Sequence, residues 1–306
     1  MRCDLHVHSR RSGALNQPLL RRLMDECYSE PLEVYEVARA RGMDLVTLTD
    51  HDTIQGALEI AHLPGTFVSE EVTLEMPGSR KVHVGVFDIR EAQHRRLQER
   101  RGDPESFVAY LAEERIPACL NHPFASMTGA REAADLVFAF DRFRIVESRN
   151  GAMPAAQNAL AEQSARAAGH AIVGGSDAHA IQFAALTYTV VPGARSREEF
   201  LDGLRRGFCV PEGRSGGYAR LASEMATVFS RAFVANARQA AEGPVAALRF
   251  LGTLSLLAAF PVIPVAALLL HSREKSAARE FHRRYEGARP SLEASPAGLE
   301  AARLAS

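Results

Sequence analysis

Two hydrophobic rhythms alternate along the first two thirds of the chain. Short apolar runs such as Leu45-Val46-Thr47-Leu48, Thr66-Phe67-Val68, Val82–Val86, Ala118-Cys119-Leu120 and Ile172-Val173 have the composition of strands. Between them lie stretches with helical spacing. Pro31 to Arg41 carries apolar Leu32, Val34, Val37 and Ala38, with Gly42 as its stop. Asp103-Pro104-Glu105 opens a second helix through Glu114, with Asp103 as N-cap and Pro104 at the first helical position. Ala130–Phe140, Ala155–Ala168 and Arg197–Arg206 read as further helices. This β-then-α order predicts an α/β domain built as a parallel barrel or wound sheet.

After about Arg214 the strand signals stop. Leu221 to Ala241 has the pattern of an amphipathic helix, and Phe250 to Leu270 then runs 21 residues without a charge. That length can cross a hydrocarbon core of about 30 Å. Pro261 and Pro264 would kink such a helix or turn it into a hairpin that enters and leaves on one side. Basic residues Arg249, Arg273, Lys275, Arg279, Arg283 and Arg284 flank the run, which favours the hairpin because both flanks then stay on the cytoplasmic side. The competing reading is a buried helical pair or an oligomer contact. The expected organisation is therefore a domain over 1–212 and a helical tail over 213–306, with segment 250–270 as a membrane-associating element.

Composition narrows the function classes. The 306 residues are 46% hydrophobic and carry a net charge of −1, with about −6 up to Glu212 and about +5 beyond it. An acidic domain does not advertise a nucleic-acid groove. Cys3, Cys27, Cys119 and Cys209 are widely spaced and form no metal knuckle or disulfide framework, and no apolar signal core precedes the first strand. A cytoplasmic setting, with attachment to the inner face of the membrane through the tail, is the expectation.

The candidate chemistry lies at the strand ends. Asp4-Leu5-His6-Val7-His8, Thr49-Asp50-His51-Asp52, Glu70-Glu71, His83, His122 and Asp177-Ala178-His179 each follow or sit in an apolar run. Side chains at i and i+2 of a strand share a face, so His6 with His8, or Asp177 with His179, can grip one ion. Strand ends of parallel α/β folds gather at one rim. Six such stations fit a single cluster of divalent cations.

These segments resemble the PHP (polymerase and histidinol phosphatase) family of metal-dependent phosphoesterases. The resemblance rests on DLHVHS at Asp4–Ser9, LTDHDT at Leu48–Thr53, EVT at Glu71–Thr73, His83, NHP at Asn121–Pro123, ESRNG at Glu147–Gly151 and GGSDAH at Gly174–His179. It covers roughly residues 1–212 and implies a distorted (β/α)7 barrel with two or three divalent metals, Mn, Fe or Zn. It further implies that His6, His8, Glu71 and Asp177 hold one metal. Glu71, chosen over Glu70 on the E-x-T pattern, bridges to a second completed by His83 and His122. His51 and His179 supply a third position. Three-metal members carry a His or Asp soon after the HxH, whereas this chain has Arg10, Arg11, Ser12, Gly13 and Ala14. The third position therefore lacks an obvious ligand. His179 or His51 is then a candidate proton donor to the leaving alcohol, and Arg149 a candidate phosphate grip. Asp50 and Asp52 read as orienting groups or helix caps.

The implied activity is hydrolysis of a small phosphorylated metabolite or nucleotide by a metal-bridging hydroxide. The alternatives are an exonuclease acting on nucleic acid ends, and a non-catalytic metal-bound scaffold held at a membrane by the tail. Oligomeric state is not encoded in any pattern recognised in the sequence.

Overall fold

The computed structural model describes residues 1–13, 20–257 and 260–293. Residues 258 and 259 of the long apolar run, Ala14, and the chain end past Glu293 lie outside the described residues.

The fold is mixed α/β, with two sheets. Strands β1 (Arg2–Asp4), β2 (Leu45–Val46), β8 (Thr187–Val190) and β9 (Val210–Gly213) form one sheet in the order β2-β1-β8-β9. Strands β3 (Ser69–Met76), β4 (Arg80–Phe87), β5 (Ala118–Leu120), β6 (Ile145–Asn150) and β7 (Ala171–Gly175) form the other in sequence order. Pairs β1–β2, β5–β6 and β6–β7 are parallel. The expectation of uniformly parallel strands fails at β4, which runs antiparallel to both β3 and β5. The cause is the connection: β3 and β4 are joined only by Pro77-Gly78-Ser79, with Gly78 at φ 73°. So short a link can only reverse the chain, because a parallel crossover needs a dozen residues or more.

No single closed sheet forms among the described residues. Isolated parallel bridges instead touch both edges of the five-stranded sheet: Val46 with Thr66 and His51 with Glu71 between β2 and β3, and Val7 with Ala178 between β1 and the chain after β7.

Helices α1 (Pro31–Ala40), α2 (Gln55–Ile60), α3 (Glu91–Arg100), α4 (Pro104–Glu113), α5 (Ala133–Arg142), α6 (Ala155–Ala167) and α7 (Arg197–Arg205) connect the strands. Their ends follow local chemistry. Asp103 accepts a hydrogen bond from Ser106 N at 3.2 Å at the start of α4, and Ser196 accepts from Glu199 N at 3.2 Å at the start of α7. Gly42 at φ 83° ends the turn after α1. The strands sort their side chains by period two. On β4, Val82, Val84 and Val86 join the core under the helices with Leu97, Phe107 and Leu136. His83 and Phe87 face the other way, and Phe87 packs with Cys3, Leu45, Cys119 and Val173.

The tail consists of α8 (Tyr218–Gln239), α9 (Pro244–Leu257) and α10 (Ile263–Glu293). Among the described residues no helix is long and apolar enough to cross a membrane. The segment over 250–270 is therefore not a single crossing helix among the described residues. Its apolar run is divided between the end of α9 and the start of α10, with Pro261 in a short helical turn over Phe260–Val262 between them. The tail is also packed onto the rest. Ala278, Phe281 and Tyr285 of α10 share a core with Leu136 and Phe140 of α5 and Ala161 of α6. The rings of Phe140 and Tyr285 lie 4.6 Å apart.

Candidate metal centre

The strand-end residues converge. His6 and His8 follow β1, Glu71 is on β3, His83 on β4, His122 follows β5, and Asp177 and His179 follow β7. Approach of these strands requires Gly175, where a Cβ would lie 2.3 Å from that of His6. Two candidate ligand positions carry unusual backbones: His122 has φ 27° and Asp177 φ 48°. Non-glycine residues held there indicate strain imposed by the surrounding structure.

Glu71 organises the centre. Its Oε2 lies 3.2 Å from His6 Nε2 and 3.6 Å from His8 Nε2, and Asp177 Oδ1 lies 3.5 and 3.4 Å from the same two nitrogens. Donors 2.0–2.2 Å from one tetrahedral ion sit about 3.4 Å apart, so each of these four contacts has the spacing of neighbouring ligands of one cation. Glu71 Oε1 faces a second set, 3.3 Å from His83 Nδ1 and 3.2 Å from His122 Nε2. His51 Nδ1 adds a contact to Glu71 Oε2 at 3.1 Å. Four triads, His6–His8–Asp177, His6–Glu71–His122, His51–Glu71–His83 and His8–His51–His179, each bring their ligand atoms within 4.8 Å of one another.

Hydrogen bonding leaves the donors free for metal. His6 Nε2, His8 Nε2, His51 Nδ1, Glu71 Oε2, His83 Nδ1 and His179 Nε2 are buried without a hydrogen-bond partner. Orphaned buried polar atoms are costly, and a cation that collects them removes the cost. The distal atoms are fixed instead. His6 Nδ1 meets Glu147 Oε1 at 2.9 Å, His8 Nδ1 meets Ser12 Oγ at 3.3 Å, and His179 Nδ1 meets the Asp177 carbonyl at 3.4 Å. This pattern of a histidine steered by an oxygen on its far nitrogen is typical of metal ligands.

Charge follows the same logic. Burial opposes ionisation of Glu71, yet His6, His83 and His51 outweigh it and hold the carboxyl well below its usual range. Burial pushes the His8 imidazole down to about 3 and, despite Glu71, the His83 imidazole to about 4, so both are neutral donors at pH 7.

The remaining expected residues divide. Glu70 points away, as its neighbour position on the strand requires, and binds His94 Nδ1 and Gln98 Nε2, each at 2.9 Å. Asp50 accepts from Ser9 N at 2.6 Å and Ser9 Oγ at 2.7 Å, steadying the segment after His8. Asp52 accepts from Thr73 N at 2.7 Å. Neither caps a helix. Arg149 is not brought to the centre: a register shift in β6 falls between Glu147 and Arg149, and its guanidinium donates to the Gly213 carbonyl at 3.5 Å. Asn150 takes the inward place, donating to Glu147 Oε2 at 2.9 Å and Asp177 Oδ2 at 3.0 Å.

Several participants carried no role in the sequence reading. Glu147 and Asn121 stand inside recognised motifs, and Asn121 Nδ2 donates to Glu71 Oε1 at 2.9 Å. Glu26, in irregular chain before α1, places Oε1 3.4 Å from His179 Nε2 and 3.8 Å from His51 Nε2. The tail grips two ligand-bearing loops. Glu224 of α8 accepts from the backbone N–H of His179 at 2.8 Å and of Ala180 at 3.2 Å, and Arg220 Nη2 donates to the Ser176 carbonyl at 2.6 Å. Glu274 of α10 accepts from Ser126 N at 2.8 Å and Ser126 Oγ at 2.5 Å, four residues past His122.

Residues 155–209 match the family described as PHP-associated. An uncharacterized protein of Methanocaldococcus jannaschii is 28% identical over 142 residues, which are 46% of this chain and 77% of that protein. Among solved structures, PsfC of Pseudomonas syringae aligns with 17% identity over 65% of this chain and 87% of its own, at a TM-score of 0.46. The lesion-specific endonuclease PfuEndoQ of Pyrococcus furiosus aligns with 16% identity over 67% of this chain and 56% of its own, at a TM-score of 0.45. The PHP-associated match falls within the stretch, residues 1–212, whose motifs resemble the PHP family.

Proposed function

We propose that this chain is a metal-dependent phosphoric ester hydrolase acting on a small phosphorylated metabolite or nucleotide. The observation that carries the reading is Glu71, whose two oxygens face two separate sets of imidazole nitrogens within 3.2–3.6 Å. His6, His8, Asp177 and Glu71 Oε2 would hold one divalent cation, and Glu71 Oε1, His83 and His122 a second. Such a pair supplies Lewis acidity toward phosphate oxygens and makes water acidic enough to ionise near neutral pH. Mixed imidazole and carboxylate donors suit Mn, Fe or Zn.

The chain's own groups do the positioning. Glu147 and the Asp177 carbonyl fix the rings of His6 and His179, and Asn121 and Asn150 hold Glu71 and Asp177 by their carboxylates. The side chains of His51 and His179 are 17% and 21% exposed, against 0–5% for His6, His8, His83 and His122. They therefore form the solvent side by which a phosphate would enter. The five-stranded sheet, bridged at its two edges to β2 and to the chain after β1, is read with them as one distorted seven-stranded ring with β4 reversed. All proposed ligands fall within residues 1–212.

The test uses the full chain: metal content by elemental analysis, and phosphate release from an aryl phosphate, for the wild type and Glu71→Ala. The expected result is two or more equivalents in the wild type, with metal and activity lost together in the variant. A wild-type protein that binds no divalent metal would overturn the proposal.

A further inference from the structure

The resemblance leaves the third position short of a ligand, because Arg10 to Ala14 offer none. The structure brings a donor there from elsewhere. Glu26 Oε1 lies 3.4 Å from His179 Nε2 and 3.8 Å from His51 Nε2. A hydrogen-bonded imidazolium–carboxylate pair closes to about 2.7–2.9 Å, and His179 Nε2 has no hydrogen-bond partner. The 3.4 Å spacing to His179 is that of neighbouring ligands of one ion with bonds of about 2.0–2.1 Å, and the 3.8 Å spacing to His51 needs a closure of a few tenths of an ångström to match it. The His179 ring is also turned for the purpose, since its Nδ1 faces the Asp177 carbonyl at 3.4 Å and leaves Nε2 toward Glu26.

We infer that Glu26 completes a third cation site with His51 Nε2 and His179 Nε2, and that the C-terminal helices assemble it. This rests on the metal-centre reading above. Two histidines and one glutamate leave a coordination position open, the arrangement of a site that takes a substrate oxygen or water.

The helices hold both halves. On one side Glu224 fixes the His179 and Ala180 amides. On the other, Arg249 of α9 donates from Nη2 to Asp25 Oδ1 at 2.9 Å and from Nε to the Leu23 carbonyl at 3.3 Å. Asn236 of α8 donates to the same Leu23 carbonyl at 2.7 Å. The segment that carries Glu26 has no strand or α-helix of its own; the tail contacts hold it on the Leu23–Asp25 side, and Cys27 Sγ on the His8 carbonyl and Arg10 N on the Ser29 carbonyl hold it on the other.

The test is metal counting on the full-length protein loaded with zinc(II), by elemental analysis and by competition with a chromophoric chelator. Wild type should hold three equivalents. Glu26→Gln, nearly isosteric, should hold two, with their affinities unchanged. Arg249→Met removes an anchor but no ligand, and should weaken the third equivalent by tenfold or more while leaving the other two. Circular dichroism establishes that both variants are folded. Equal stoichiometry and affinities in wild type and Glu26→Gln, whether two or three equivalents, would overturn Glu26 as a ligand and leave the two-cation reading intact. An unchanged third equivalent in Arg249→Met would overturn the role of the helices. A wild type with no metal would overturn both this inference and the proposed hydrolase.

Discussion

Replacing Glu224 with alanine should damage the metal centre from outside it. The carboxylate accepts two backbone N–H groups, from His179 and Ala180, and is only 8% exposed. Its Oε2 also lies 3.7 Å from Arg220 Nε. Hydrogen bonds to a buried charged acceptor contribute about 1.5–3 kcal/mol each, and a buried donor left unmet costs about 1–3 kcal/mol. Loss of two such bonds, moderated by water entering the gap, should lower unfolding stability by about 3–5 kcal/mol. Glu224→Gln keeps an accepting oxygen and should lose only about 1–2 kcal/mol. Urea unfolding of the metal-loaded proteins measures the difference. Because the two amides lie at and beside a ligand, Glu224→Ala should also weaken metal binding by about 10–100-fold. Wild-type stability and metal affinity in Glu224→Ala would refute the argument that α8 holds this loop.

Two further predictions concern steering and protons. Glu147→Gln removes the carboxylate charge that faces His6 Nδ1 and weakens the acceptor for the His122 amide, and should reduce metal affinity by about 10–100-fold with little loss of fold; a chelator competition titration that gives the wild-type constant would count against it. In the chelated protein, burial lowers the His179 pKa, but Glu26, Asp177 and Glu224 outweigh it and raise it to about 10. A raised folded-state value means that this stabilisation is complete below the ordinary value near 6.5 and disappears as pH climbs through 10. The Tm in excess chelator should therefore fall between pH 6.5 and 10, and fall less in Glu26→Gln; a Tm that rises over that range would contradict the assigned charges.

The legible part of this protein was local. His6-x-His8 and Asp177-x-His179 announce themselves because strand geometry puts i and i+2 on one face, and Glu71, His83 and His122 sit in or beside apolar runs. Helices with caps in the sequence, such as the one opened by Asp103-Pro104, were placed to within a residue or two. Strand direction was less legible: Val82 to Val86 alternates identically whichever way it runs, and only the three-residue link through Gly78 reverses it. Glu26 was missed because it lies in an aperiodic segment, 18 residues after His8. Glu224 and Glu274 look like solvated charges on amphipathic helices, and nothing local marks them as acceptors for distant loops. The break in the apolar run over 250–270 was legible in Pro261, but the packing of α10 against α5 and α6 was not, because an apolar helix face looks the same whether a membrane or a protein core covers it.

The order of synthesis gives the docked tail a temporal meaning. His6 and His8 leave the ribosome well before Asp177, which follows His6 by 171 residues. At about 5–20 residues per second this is a delay of roughly ten to thirty seconds. Glu224 and Glu274, which secure the loops bearing His179 and His122, are later still. A nascent chain thus exposes a two-histidine chelate long before it owns the carboxylates and loop anchors that define the mature site. Metal captured early would sit in an incomplete and exchangeable site, so firm retention would await the later carboxylates and loop anchors.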